Sequence, residues 1–189
     1  EGNVWLDPAR TSPYRFYQFW RNTDDRDVER VLKFFTFFPV AEVASVMAEH
    51  RRDPGRRAAQ RRLAGEMPAR IHGAEAARGV VAASHLLFGG ADLRAAGPEV
   101  FEVLAREIPV ARLPRSELDG LEVLDALVKA GLASSKGDAR RGIQGGGFSV
   151  NGEPVGTPDR GLAAADLLLG RYLMLQKGRK SYALLVAEG

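Results

Sequence analysis

Apolar residues recur at three- and four-residue intervals through the first hundred positions, then at two-residue intervals toward the end of the chain. Val28, Val31, Leu32 and Phe35 follow the spacing of one buried helix stripe. That stripe predicts a helix opening near residue 23, capped by Asn22 or Thr23, with Asp24 and Asp25 in its positive first turn and Pro39 closing it. Further helices are predicted over 40–50, 56–67, 74–88 and 98–106, with Pro68 ending or kinking the one before it. Residues 1–22 read as irregular. They hold Trp5, Tyr14, Phe16, Tyr17, Phe19 and Trp20, too many aromatics for a solvated tail. No strand is predicted before residue 106.

The stretch 106–120 has two prolines, mixed charge and no period, which predicts a linker. Beyond it, Leu121, Leu124 and Val128 mark a short amphipathic helix that Gly131 can end. Ser134 and Ser135 offer caps for a second helix, and Asp138 completes an approximate capping box. In that helix Ala139 and Ile143 share an inward face, while Lys136, Arg140 and Gln144 fall on an outward one. Gly145 to Gly147 stop it, and Asn151-Gly152 is a two-residue hairpin turn between "FSV" and "EPV". A last hairpin pairs "RYLMLQK" with "KSYALLV" around Gly178-Arg179. A two-residue loop there sets Lys177 opposite Lys180, an arrangement that repels unless a polyanion neutralises it. The alternative reading is an edge guarded by lysines against aggregation.

Composition narrows this further. A chain of 189 residues, 45% hydrophobic, fits one medium or two small domains with real cores. It has no cysteine, which excludes disulfides and thiolate metal sites and points to a reducing, cytoplasmic home. His50, His72 and His85 lie far apart without metal-ligand spacing, and no apolar run is long enough for a membrane span. The net charge of +3 is modest, but Arg51, Arg52, Arg56, Arg57, Arg61 and Arg62 have only Asp53 as a nearby acid. The cluster Arg56, Arg57, Arg61 and Arg62 reads as one helix face, either solvated or facing a polyanion.

The run Ser135-Lys136-x-x-Ala139-Arg140-x-x-Ile143-x-x-Gly146-x-Phe148-x-Val150-Asn151-Gly152 resembles the small S-four-type RNA-binding domain, two helices packed on a small sheet. "EGNVWLDPARTSPYRFYQFWRNTDDRDVERVLKFFTFFP" is similar to the segment following the ATP-binding lysine loop of bacterial tyrosyl-tRNA synthetases. "RRAAQRRLAGEMPARIHGAEAA" resembles the next part of their helical anticodon-binding domain. The resemblance implies an α+β chain: a remnant over 1–22, a helical domain over 23–106, a linker over 107–119 and an S-four-like domain over 120–189.

It also implies a ligase that activates tyrosine with ATP and Mg and attaches it to tRNA(Tyr). The synthetase is expected to be a homodimer through a catalytic domain that this chain lacks. The chain alone is therefore expected to be inactive, to hold no cofactor and to be monomeric. Lys136, Arg140, Arg141, Lys177, Arg179 and Lys180 are the expected contacts to the RNA backbone, with Arg56, Arg57, Arg61 and Arg62 facing the anticodon stem. Asn151 and Gly152 form a structural turn. The aromatics at 14–20 are expected to pack between the helical domain and the catalytic domain. Gly137 and Gln176 stand where relatives often place a basic residue. The alternative is a free-standing S-four-type module on the ribosome or another structured RNA, which the helical half argues against.

Overall fold

The computed structural model describes residues 3–88 and 92–189, which divide into two compact units, 1–82 and 83–189. The fold is α+β: helices dominate the first unit and a five-stranded sheet organises the second.

The first unit opens with α1, Pro13–Arg21, where irregular chain was expected. Ser12 caps it by accepting from the Arg15 amide, and Pro13 sits in the first turn, where a missing N–H costs nothing. Tyr14, Phe16, Tyr17 and Trp20 are buried along α1 against α4, Ala58–His72. Phe16 meets both Trp20 and His72 edge-on, at 5.9 and 5.1 Å between ring centres. Four of the aromatics expected to wait for a catalytic domain are thus already in the unit's own core. The exposed aromatics among this unit's described residues are Trp5, Phe19, Phe34, Phe35 and Phe37.

The next helix also departs from expectation. A turn over 24–27 precedes it, so α2 spans only Val28–Phe35, and neither Asp24 nor Asp25 caps it. Asp24 instead accepts from the backbone and side chain of Arg26, which lowers its pKa to about 2, the side-chain bond being the larger cause. Val28 and Leu32 are fully buried, whereas Phe35 is about half exposed. Then α3, Val40–Arg52, buries Val43, Met47 and His50 one turn apart. α4 continues past Pro68 to His72, so the proline does not end it. Pro68 is itself buried beside Leu63, Ala64 and Met67, so tertiary packing outweighs the hydrogen bond it cannot make. Gly73 follows at φ +91°, and α5, Ala74–Phe88, carries residues of both units.

In the second unit α6, Pro98–Glu107, leads into β1, Val110–Pro114, and a single turn α7, Arg115–Leu118. Both lie in the stretch expected as a linker. β1 pairs in parallel with the last strand, and only one of its edges is bonded, which is why prolines can bracket it. After α8, Val123–Lys129, and α9, Lys136–Gln144, come β2, Phe148–Val150, β3, Glu153–Pro154, β4, Tyr172–Lys177, and β5, Ser181–Glu188. The strand order is β1-β5-β4-β2-β3. Leu173, Leu175, Ala183 and Leu185 pack with the apolar faces of α8 and α9 in one cluster. Phe101 of α6 stacks on Tyr172 at 4.7 Å. Among the described residues no helix is long and apolar enough to cross a membrane.

Candidate nucleic-acid interface

The position of α9 is set by its ends. Ser135 accepts from the Asp138 amide, while the Asp138 carboxylate accepts from the Ser134 amide, so the reciprocal cap is displaced by one residue from a true box. At the other end the Gly146 amide donates to Ile143 and the Gly147 amide to Gly142, the double bond of a Schellman cap, with Gly146 at φ +69°. Between the ends, a side-chain carbon added at Gly142 would run into the Phe148 ring. α9 therefore lies hard against β2. Ala139 and Ile143 point into the core, leaving Arg140, Arg141 and Gln144 exposed.

Asn151 and Gly152, at φ +50° and +81°, turn the chain from β2 to β3. Asn151 also donates to the Asp166 carbonyl and accepts from the Met174 amide, tying β4 to the loop before it.

The last hairpin differs from expectation. Lys177 pairs with Ser181, so the loop is Gly178, Arg179 and Lys180, and the two lysines do not face each other. The Gly178 amide donates to the Gly147 carbonyl at 2.8 Å, drawing this loop beside the glycines that end α9. Lys177 sits 5.5 Å over the Phe148 ring and 3.7 Å from Asp138. Asp138 is held below the usual carboxylate range, first by the Ser134 backbone hydrogen bond and then by the charges of Lys177 and Arg141.

The expected RNA-facing cations thus fall into two groups. Arg140, Arg141, Lys177, Arg179 and Lys180 are exposed on α9 and the adjoining hairpin end. Their acid neighbours are few: Arg140 stands 3.5 Å from the well-exposed Asp159, and Lys177 from Asp138 as above. Lys136 is different. It turns toward α8, 2.8 Å from Asp125 and 3.6 Å from Glu122, and the Asp125 hydrogen bond raises its pKa. A hollow of about 470 Å³ beside it is rimmed mainly by Glu117, Asp119, Glu122 and Asp125.

In the first unit the arginines at 56–62 do not share one helix face. Arg56 belongs to a 3-10 turn, Pro54–Arg56, and pairs with Asp53 at 3.2 Å. Arg57 stands at φ +51° ahead of α4 and donates to the Thr23 carbonyl. Arg62 pairs with Glu42 at 2.7 Å and lies over Phe38. Only Arg61 projects freely from α4, with no ion pair among the described residues. The glycine-proline kink over 54–57 separates what spacing alone joins.

A polar group that the sequence did not single out lies beside them. His50 Nε2 is 3.3 Å from Asp25, and buried Gln60 donates to both Asp25 and the Thr23 carbonyl. Its contacts join positions 25 to 37 apart, beyond any local pattern. Among the described residues no group of three or more His, Cys, Asp or Glu gathers as a metal site.

Both parts of the chain are similar to known proteins. Residues 1–89 match the model for class I tRNA synthetases (W and Y), and residues 100–185 match the tyrosine–tRNA ligase SYY-like C-terminal domain. A tyrosine–tRNA ligase of Anaeromyxobacter dehalogenans is 61% identical over 183 residues, 97% of this chain and 44% of that protein. One from Roseiflexus castenholzii is 44% identical, again over 97% of this chain and 44% of the relative. A solved C-terminally truncated mitochondrial tyrosyl-tRNA synthetase of Aspergillus nidulans is 45% identical, covering 45% of this chain and 25% of that one at a TM-score of 0.44. The chain spans less than half the length of the curated relatives it matches. With two family models accounting for both of its parts, the chain belongs to the tyrosyl-tRNA synthetase family.

Proposed function

We propose that these residues are the tRNA-binding part of a tyrosine–tRNA ligase, which activates tyrosine with ATP and Mg and attaches it to tRNA(Tyr). The helical residues between 23 and 106 serve the anticodon arm, and the S-four-like part from 120 onward serves the long variable arm. The observation that carries this reading is the exposed cation face of α9 and the β4–β5 loop, in a chain of this family. Arg140 and Arg141 ride on a helix fixed at both ends, and Lys177, Arg179 and Lys180 are tied to it through the Gly178–Gly147 bond. Such cations neutralise backbone phosphates and position the RNA. Lys136, already neutralised by two carboxylates, contributes less than its place in the motif suggests.

No step of tyrosine activation is assigned to these residues. In this reading that chemistry and a dimer contact fall to a part of the ligase that this chain does not span.

A titration with tRNA(Tyr), beside a tRNA lacking the long variable arm, tests the reading. Preferential binding of tRNA(Tyr) supports it, and equal binding of both leaves a general RNA-binding module. Replacing Arg140 and Lys180 together with alanine is expected to weaken binding and reduce the slope of log K against log salt by about 1.4–1.8. An unchanged slope would place the RNA face elsewhere.

A further inference from the structure

Arginines of the first unit divide between those matched by acids and those without an ion pair among the described residues. Arg26 pairs with Asp24, Arg30 with Asp27, Arg51 with Glu29, Arg56 with Asp53 and Arg62 with Glu42. Three stand apart. Arg21, Arg57 and Arg61 have no ion pair among the described residues, and the fold brings them together. Arg21 ends α1. Two residues on, the Thr23 carbonyl accepts from Arg57 at 3.2 Å and from Gln60 at 3.3 Å, clipping the start of α4 to the chain that leaves α1. Arg61 follows Arg57 by one helical turn.

We propose that Arg21, Arg57 and Arg61 form a phosphate-binding site at the start of α4, occupied by a backbone phosphate of the bound RNA. The inference rests on the tRNA-binding reading above and extends it to a residue, Arg21, that the sequence motifs leave out.

Several independent features converge there. Arg21 is half-buried and hydrogen-bonds the Tyr17 side chain, with its Nη1 left unpartnered. Burial is the main cause lowering the Arg21 pKa, and the charges of Arg57 and Arg61 push the same way. Like charges brought together without a counter-ion oppose folding, and an arriving anion relieves that repulsion. Arg57 holds a left-handed backbone that an L side chain rarely adopts, and it supplies α4 with no side-chain cap. The positive end of a fifteen-residue helix therefore adds its dipole to the three guanidinium groups. Guanidinium forks suit the paired oxygens of a phosphate. Arg61 is exposed and Arg21 and Arg57 partly so, so the site is open to a backbone.

The test uses the chain with tRNA(Tyr) over a salt series, and inorganic sulfate as a separate probe of the anion site. Arg61→Gln is the main variant because an exposed helix position tolerates glutamine; Arg21→Gln is the second, and Arg30→Gln, whose arginine is paired with Asp27, is the control. Each of the first two is expected to reduce the salt slope by about 0.7–0.9 and to abolish the rise in Tm that sulfate gives the unmodified chain. Arg30→Gln is expected to change neither. If the unmodified chain binds no tRNA, the tRNA-binding reading itself falls. If it binds, and the Arg140 and Lys180 replacement lowers the slope while Arg61→Gln does not, only this proposal is overturned. Loss of sulfate stabilisation with an unchanged RNA slope identifies an anion site that RNA does not use, and also overturns it.

Discussion

α4 and α9 each carry two adjacent arginines, and the two pairs meet different fates. On α4, Arg62 is held by Glu42 and Phe38 while Arg61 is free. On α9, Arg141 has no ion pair among the described residues, and Arg140 has only the well-exposed carboxylate of Asp159, 3.5 Å away. Charge density in the sequence is similar; accessible charge is not. Acids on α2 and α3 take Arg51 and Arg62 in the first unit. In the second unit, acids on α8 capture Lys136 but leave the other outward face of α9 open. A basic surface depends on where the fold withholds carboxylates.

The same pair of helices can be separated by one substitution made twice. Gly142→Ala on α9 forces a methyl group into the Phe148 ring, and overpacking of that kind costs about 1–3 kcal/mol, more than the helix propensity gained. Gly65→Ala on α4 places its methyl group in open space, and there the propensity gain of about 0.5–1 kcal/mol stands alone. Urea denaturation of both variants is expected to give opposite signs. Two changes of the same sign would mean that α9 does not rest on Phe148 as tightly as its geometry indicates.

Capping provides a smaller contrast. α9 begins with Ser135 accepting from the Asp138 amide, whereas α4 begins with an arginine that caps nothing. Ser135→Ala is expected to cost about 1 kcal/mol, read as a lower denaturation midpoint. A neutral result would assign the start of α9 to the Asp138 carboxylate and the Ser134 amide instead.

Much of the second unit was legible because its signals are local. The cap, the glycine stop, the Asn151-Gly152 turn and the inward Ala139 and Ile143 all lie within eighteen consecutive residues. The failures were of longer range. β1 looked like a linker because its partner, β5, is about seventy residues away and its own sequence barely alternates. α1 looked irregular because two prolines obscured an aromatic face that only α4 completes. In the candidate site, Lys177 and the Arg179–Lys180 loop were recognised as basic, but a third loop residue moved Lys180 away from Lys177. Arg21 went unnoticed because a single arginine at a helix end is ordinary. Its significance comes from Arg57 and Arg61, some 36 and 40 positions later.

The smallest expected effect concerns the one carboxylate within the cation face of α9. Asp138 accepts from Ser134 and draws on Lys177 and Arg141, so it competes with phosphate for the same cations. Asp138→Asn keeps an oxygen for the Ser134 amide and removes the charge. Affinity for tRNA is expected to rise about two- to five-fold, within the range of exposed ion pairs. Acid should mimic the change. The carboxyl pKa is lowered in the fold, so its contribution to stability is complete above its ordinary value of 3.8 and is lost as pH falls through the lower folded value. NMR titration of Asp138 should therefore find its midpoint below the ordinary value, and tRNA should lower it no further. A bound phosphate displaces the carboxylate from Lys177 and raises that midpoint instead, whereas a midpoint unmoved by tRNA would mean that the RNA does not reach Lys177 or Arg141.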